Sequence, residues 1–158
     1  VTVGNSWQDA AGNAGVGAAD TVAIDTVNPS VTVDVSDASL SDVDNASLVS
    51  FVFSEVPTDF TAADLTVVGG TVTGLAQDLL GDPSGKTYTA TFTADDGFTG
   101  TGSVSLTGSY TDAALNLGSG DSDSVGIDTG NPSVTVNSAD ERRVGEERGA
   151  QGRSRLTA

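Results

Sequence analysis

No cysteine, histidine or methionine occurs in these 158 residues, and Lys86 is the one basic side chain before Ala139. Each absence removes a class of chemistry. Without His and Cys there is no zinc or copper site of the usual imidazole or thiolate kind. Ser-His-Asp and Cys-His catalysis are excluded for the same reason. Without Cys, no disulfide staples the fold. Aromatics are scarce, at five Phe, two Tyr and one Trp. No apolar run approaches the ~18 residues of a membrane-spanning helix, and no N-terminal signal is visible. The shortage of positive charge leaves a formal net charge of −16. That charge argues against nucleic acid as a partner and against contact with anionic membranes. It argues for bound cations, or for a high-salt or extracellular setting.

What the chain does contain is Thr, Ser, Val, Gly and Asp, a mixture suited to pleated strands and turns. It also contains an internal repeat. Shifted by 103 residues, Val1–Val35 aligns without a gap on Val104–Ser138, with 19 of 35 positions identical. A period of 103 matches one immunoglobulin-like sandwich of about 100 residues. The expected organisation is therefore the last strands of one repeat over residues 1–28, a complete domain over 29–131, and the first strand of another repeat over 132–138. Residues 139–158 carry five Arg and no strand alternation. They are expected to be a disordered or non-native tail, and the stretch Glu141-Arg142-Arg143-Val144-Gly145 resembles translated sequencing-adapter sequence.

Alternation marks seven strands in the complete domain. Val31, Val33 and Val35 form the first. Leu48, Phe51 and Phe53 anchor the second, with Val49 and Val52 assigned to its other face. Leu65, Val67 and Val68 form the third. A fourth begins at Val72 and Leu75 and runs towards Leu80. The turn Asp82-Pro83-Ser84-Gly85 then leads into Tyr88, Ala90 and Phe92. Val104 and Leu106 carry the sixth strand, with Tyr110 placed late in it, and Val125 and Ile127 close the domain. The predicted fold class is an all-β, antiparallel immunoglobulin-like β-sandwich in tandem repeat. Thr61-Ala62-Ala63-Asp64 is the one stretch suited to a helical turn. Trp7 and Tyr110 share a repeat position, which favours packing at a sandwich corner over an exposed sugar-stacking platform.

These residues carry a family resemblance. The run Asn45-Ala46-Ser47-Leu48-Val49-Ser50-Phe51-Val52-Phe53-Ser54-Glu55 resembles the opening of bacterial Ig-like repeats. Asp64-Leu65-Thr66-Val67 with Gly69-Gly70 resembles a later segment of the same repeats. Tyr110-Thr111-Asp112-Ala113-Ala114-Leu115-Asn116 is similar to their Tyr-Thr-Asp-Ala-Ala-Gly-Asn motif, with Leu115 in place of Gly. Ile24-Asp25-Thr26-Val27-Asn28-Pro29 resembles their domain-joining sequence. The resemblance spans residues 1–138. It implies a non-catalytic stalk module of very large bacterial cell-surface adhesins, often exported by type I secretion and commonly stiffened by Ca²⁺. The expected partners are neighbouring repeats of the same chain, with any host or matrix ligand bound elsewhere in the parent protein.

Sandwich topology predicts where the acids gather. Asp37, Asp42 and Asp44, Asp95 and Asp96, and Asp128 should meet at the pole facing the following repeat. Glu55, Asp59, Asp112 and Asn116 should meet at the other pole, beside Asp25 of the incoming linker. Ca²⁺ takes six to eight oxygen ligands from such groups. A cation would convert their mutual repulsion into a clamp at a domain junction. The plainer reading is that these Asp residues cap turns. A glycosidase pair built from Glu55 with Asp95 or Asp96 fails because the two sets lie at opposite poles. Gly97-Phe98-Thr99-Gly100-Thr101-Gly102 leads into a strand rather than a helix, so it reads as a turn and not a phosphate cradle. Two other functions remain open on the same fold. One is a carbohydrate- or receptor-binding module using the row Thr87, Thr89, Thr91 and Thr93. The other is an accessory module of a secreted polysaccharide-active enzyme.

Overall fold

The computed structural model describes residues 1–137, so the expected tail over 139–158 lies outside the described residues. Two short strands, β1 (Thr2–Val3) and β2 (Ala18–Ala19), pair as an N-terminal hairpin. Eight strands then build a sandwich. They are β3 (Val31–Val35), β4 (Ser39–Ser41), β5 (Ala46–Phe53), β6 (Leu65–Val68), β7 (Gly70–Gln77), β8 (Thr87–Ala94), β9 (Thr99–Leu106) and β10 (Asp121–Asp128). One sheet has the order β3-β5-β8-β7 and the other β4-β10-β9-β6. All pairings are antiparallel except β4 with β10. Strand β4 is the element that alternation missed. It is three residues long and contributes a single buried side chain, Leu40.

The facing sheets bury Val31, Val33, Val35, Val49, Phe51, Phe53, Phe92, Val104, Leu106, Val125 and Ile127. Period-two alternation puts residues of one parity on the core face. On β5 the core set is therefore Val49, Phe51 and Phe53, while Leu48 and Val52 face solvent. The sequence-based assignment grouped Leu48 with Phe51 and Phe53, which no single strand register allows. Phe53 sits among rings, with centroids 5.0 Å from Phe60, 5.8 Å from Tyr88 and 4.9 Å from Tyr110.

Three other boundaries differ from expectation. Strand β7 ends at Gln77, because the carbonyl of Asp78 accepts the Asp82 N–H and starts the turn. Leu79 and Leu80 are exposed in that turn rather than in the strand. Within β7 the register slips between Thr73 and Ala76, where Gly74 takes φ +69°. This bulge interrupts an otherwise long free edge. Tyr110 lies beyond β9, in the loop leading to β10, and is fully buried there. Only Gly97 and Phe98 of the glycine-rich stretch precede the strand, since β9 already begins at Thr99.

Acidic side chains satisfy backbone groups in several places. Asp82 accepts from the Ser84 hydroxyl and N–H, the Thr87 hydroxyl and the Lys86 N–H. Those bonds, led by the Ser84 hydroxyl, push its pKa down to about 2. Asp64 accepts from both the N–H and the hydroxyl of Thr61, closing the helical turn Ala62–Asp64. Strand β3 turns one edge towards β10, and there Asp121 and Asp123 accept the N–H groups of Val33 and Val35 at 2.9 and 2.8 Å. The two carboxylates blunt a strand edge that would otherwise invite another chain.

Candidate functional site

The loop between β9 and β10 is organised by Asp112. Its Oδ1 accepts the N–H groups of Ala114 and Asn116 at 2.8 and 2.9 Å. Its Oδ2 accepts Asn116 Nδ2–H at 2.9 Å. Burial pulls the Asp112 carboxyl upward, but these hydrogen bonds outweigh it and hold the pKa below its ordinary value. Tyr110 roofs the loop. Its hydroxyl hydrogen is shared between the carbonyls of Ser119 at 2.9 Å and Pro29 at 3.3 Å. Burial raises the pKa of that hydroxyl.

The N-terminal hairpin holds a second copy of this loop. Asp9 Oδ1 accepts Ala11 and Asn13 N–H at 2.9 and 2.8 Å, and its Oδ2 accepts Asn13 Nδ2–H at 2.7 Å. Every one of these residues lies 103 before its counterpart. The bridges Gln8–Ala14 and Thr111–Leu117 keep the same offset. So do the pairings Thr2–Ala19 and Ser105–Ser122. Val104, Leu106, Tyr110, Val125 and Ile127 are buried, whereas their counterparts Val1, Val3, Trp7, Val22 and Ile24 are exposed.

One position departs from the pattern. Gly12 takes φ +86° and its counterpart Leu115 takes φ +69°. A β-carbon in the left-handed region costs roughly 1–2 kcal/mol, and exposed Leu115 recovers little of that by packing. Leu115→Gly is therefore expected to raise stability. The gain should stay below about 1 kcal/mol, because Gly also adds freedom to the unfolded chain. A chemical denaturation midpoint that falls would contradict the assignment of strain to this residue.

The loop brings three carboxylates together. Oxygens of Asp25, Glu55 and Asp112 lie within 4.8 Å of one another, the first exposed, the second half-buried and the third buried. They come from the incoming linker, the segment after β5 and the β9–β10 loop. Asn116 stands beside them, donating from Nδ2 to the Asp25 carbonyl at 3.3 Å. Asp59 is turned to other work, since its Oδ1 accepts the Thr111 N–H at 2.8 Å. At the opposite pole, Asp37, Asp42, Asp44, Asp95, Asp96 and Asp128 are all exposed. Among the described residues, no three of those six bring carboxylate oxygens as close as the first group. Asp128 accepts from the Thr99 hydroxyl at 3.1 Å. Close beside it, buried Thr129 donates its hydroxyl to the Asp95 carbonyl at 2.7 Å and accepts the Phe98 N–H at 2.9 Å.

The sequence placed Asp25, Glu55, Asp112 and Asn116 at one pole, but alternation cannot say which loop side chains converge. It missed Thr129 as a clamp on the β8–β9 turn. The available signal was that Thr26 and Thr129 are identical across the repeat, within the linkers Ile24–Pro29 and Ile127–Pro132.

A family model described as a bacterial Ig-like domain matches residues 25–129. No curated protein and no solved structure gave a significant match.

Proposed function

The chain belongs to the bacterial Ig-like domain family, and we propose that it serves as a structural spacer in an extracellular bacterial surface adhesin. In this reading its partners are neighbouring repeats of the same polypeptide, and it has no catalytic role. The observation that carries the reading is the twinned loop. Hairpin register, Asx hydrogen bonds and bridge positions recur at an offset of 103 residues, and the earlier copy exposes the apolar positions that the later copy buries. Such a face is what a sandwich presents when its facing strands belong to another repeat unit.

Calcium belongs to the same proposal. Oxygens sharing a Ca²⁺ lie roughly 2.3–2.6 Å from it and hence no more than about 5 Å apart. The spread of 4.8 Å among Asp25, Glu55 and Asp112 fits that limit. Without a counter-ion, each pair of charges at that spacing costs roughly 1 kcal/mol in bulk water and several times more at a partly buried site. Asp25 arrives from the linker, so these residues would hold the cation where one repeat joins the next. The bound ion would supply charge neutralisation and a tie between linker and body.

Calorimetric titration with Ca²⁺ tests this part. Binding at millimolar concentration or tighter is expected, and at 100 times Kd the folded chain gains about 2.7 kcal/mol. The thermal midpoint should rise with Ca²⁺, return with chelator, and lose most of its response in Asp112→Asn. Silence up to several millimolar would sink the calcium part. The spacer part is checked separately, by screening the chain against glycans and matrix proteins. That screen should be blank, and a specific submillimolar ligand would favour the binding-module alternative instead.

A further inference from the structure

We infer that the linker Asp-Thr-Xaa-Asn-Pro is bonded at once to the body it leaves and to the body it enters, so that successive repeats join without a hinge. The inference rests on the spacer reading and deepens it. The chain displays this linker twice, as Asp25-Thr26-Val27-Asn28-Pro29 and as Asp128-Thr129-Gly130-Asn131-Pro132. Each occurrence shows one side of the junction.

The second occurrence shows the body being left. Asp128 Oδ1 accepts the Thr99 hydroxyl at 3.1 Å. The Thr129 N–H donates to the Phe98 carbonyl at 2.9 Å. The Thr129 hydroxyl donates to the Asp95 carbonyl and accepts the Phe98 N–H, and the residue is buried. The first occurrence shows the body being entered. The Asp25 carbonyl accepts Asn116 Nδ2–H at 3.3 Å. The Pro29 carbonyl accepts the Ser119 N–H at 2.9 Å and shares the Tyr110 hydroxyl. Pro29 itself is buried. Both occurrences form the same internal turn, in which Asp Oδ1 accepts the N–H two residues on, at 3.0 Å from Val27 and 3.3 Å from Gly130.

Superposed by the repeat, the anchors alternate along the chain. The Oδ1 of the Asp carboxylate holds the departing body, as at Asp128, while the Asp carbonyl holds the arriving one, as at Asp25. Thr holds the departing body and Pro the arriving one. No bond in the linker therefore separates the two sets. A swing before Asp25 would tear out the buried Thr hydrogen bonds, and a swing at Val27 or Asn28 would break the Asn116 bond. The Asn116 contact is the weakest of these, being exposed and 3.3 Å long, so it governs whether the junction can bend.

The entry half can be tested on the full chain by ¹⁵N relaxation. Amide order parameters at Asp25, Val27 and Asn28 should lie near the rigid-backbone value of about 0.85. Asn131, which makes no such contact among the described residues, should fall below them. In Asn116→Ala, Asp25 and Val27 should lose order while Thr129 keeps its own. Order parameters under about 0.6 at Asp25 and Val27 in the unmodified chain would overturn the inference. So would an Asn116→Ala chain whose linker stays as rigid as before. A mobile linker would leave the spacer reading standing. A specific ligand in the glycan and matrix screen would remove the spacer reading without touching the linker's order.

Discussion

Phe53→Ala should cost the domain about 3–5 kcal/mol, whereas Leu48→Ala, on the same strand, should cost less than about 1 kcal/mol. The contrast comes from side-chain parity on β5. Phe53 is 2 % exposed and touches the rings of Phe60, Tyr88 and Tyr110. Truncation would remove its transfer free energy and three edge-on ring contacts, and the pinned neighbours could not close the gap. Leu48 is 52 % exposed beside Thr91 on the outer face. Domains of this size are stable by only about 5–15 kcal/mol, so the Phe53 variant would stand near its unfolding transition. Urea titration of both variants checks the register. A Leu48→Ala cost equal to that of Phe53→Ala would mean that β5 presents its other face to the core.

Those two residues also mark how far the sequence could be read. Apolar patterning located seven of the eight sandwich strands: six carry at least two apolar residues at a spacing of two, and β7 carries Val72 and Leu75 on either side of the start of its bulge. It failed at β4, where Leu40 alone marks the strand and no period can be counted. It misassigned Leu48 because apolar residues occupy both parities of β5, so hydrophobicity alone does not say which face is inside. The candidate site was legible only to the level of a pole. Strand ends fix which loops meet, and of the expected group Glu55, Asp59, Asp112 and Asn116 beside Asp25, the structure brings the carboxylates of Asp25, Glu55 and Asp112 together. Loop side-chain directions depend on turns such as the one Asp112 builds for itself. That is why Asp59, at the same pole, turns to Thr111 instead of joining the cluster. Of the other acids, Asp82 caps a turn, and Asp121 and Asp123 protect a strand edge. Neither role leaves a mark in composition.

Gly118→Ala is expected to destabilise the domain by roughly 3 kcal/mol, the upper end of the usual cost of overpacking. A methyl at Gly118 would fall 2.2–2.6 Å from three atoms of the Tyr110 ring. That ring is fully buried, and its hydroxyl is held by the carbonyls of Ser119 and Pro29. It can yield only by breaking those bonds or by moving the loop that carries Asp112. The repeat supplies a matched control. A methyl at Gly15 would crowd the Trp7 ring even more closely, at 2.0–2.4 Å. Trp7 is half-exposed, however, and has room to swing aside. Gly15→Ala should therefore stay within about 0.5 kcal/mol of the unmodified chain. A double-mutant cycle isolates the contact. Tyr110→Leu removes the ring edge that the methyl meets, so Gly118→Ala should cost much less in that background than alone, with a coupling of at least about 1 kcal/mol. Additive costs would mean that the methyl meets backbone rather than the ring. Tyr110 would then not be the part that fixes the loop against the linker.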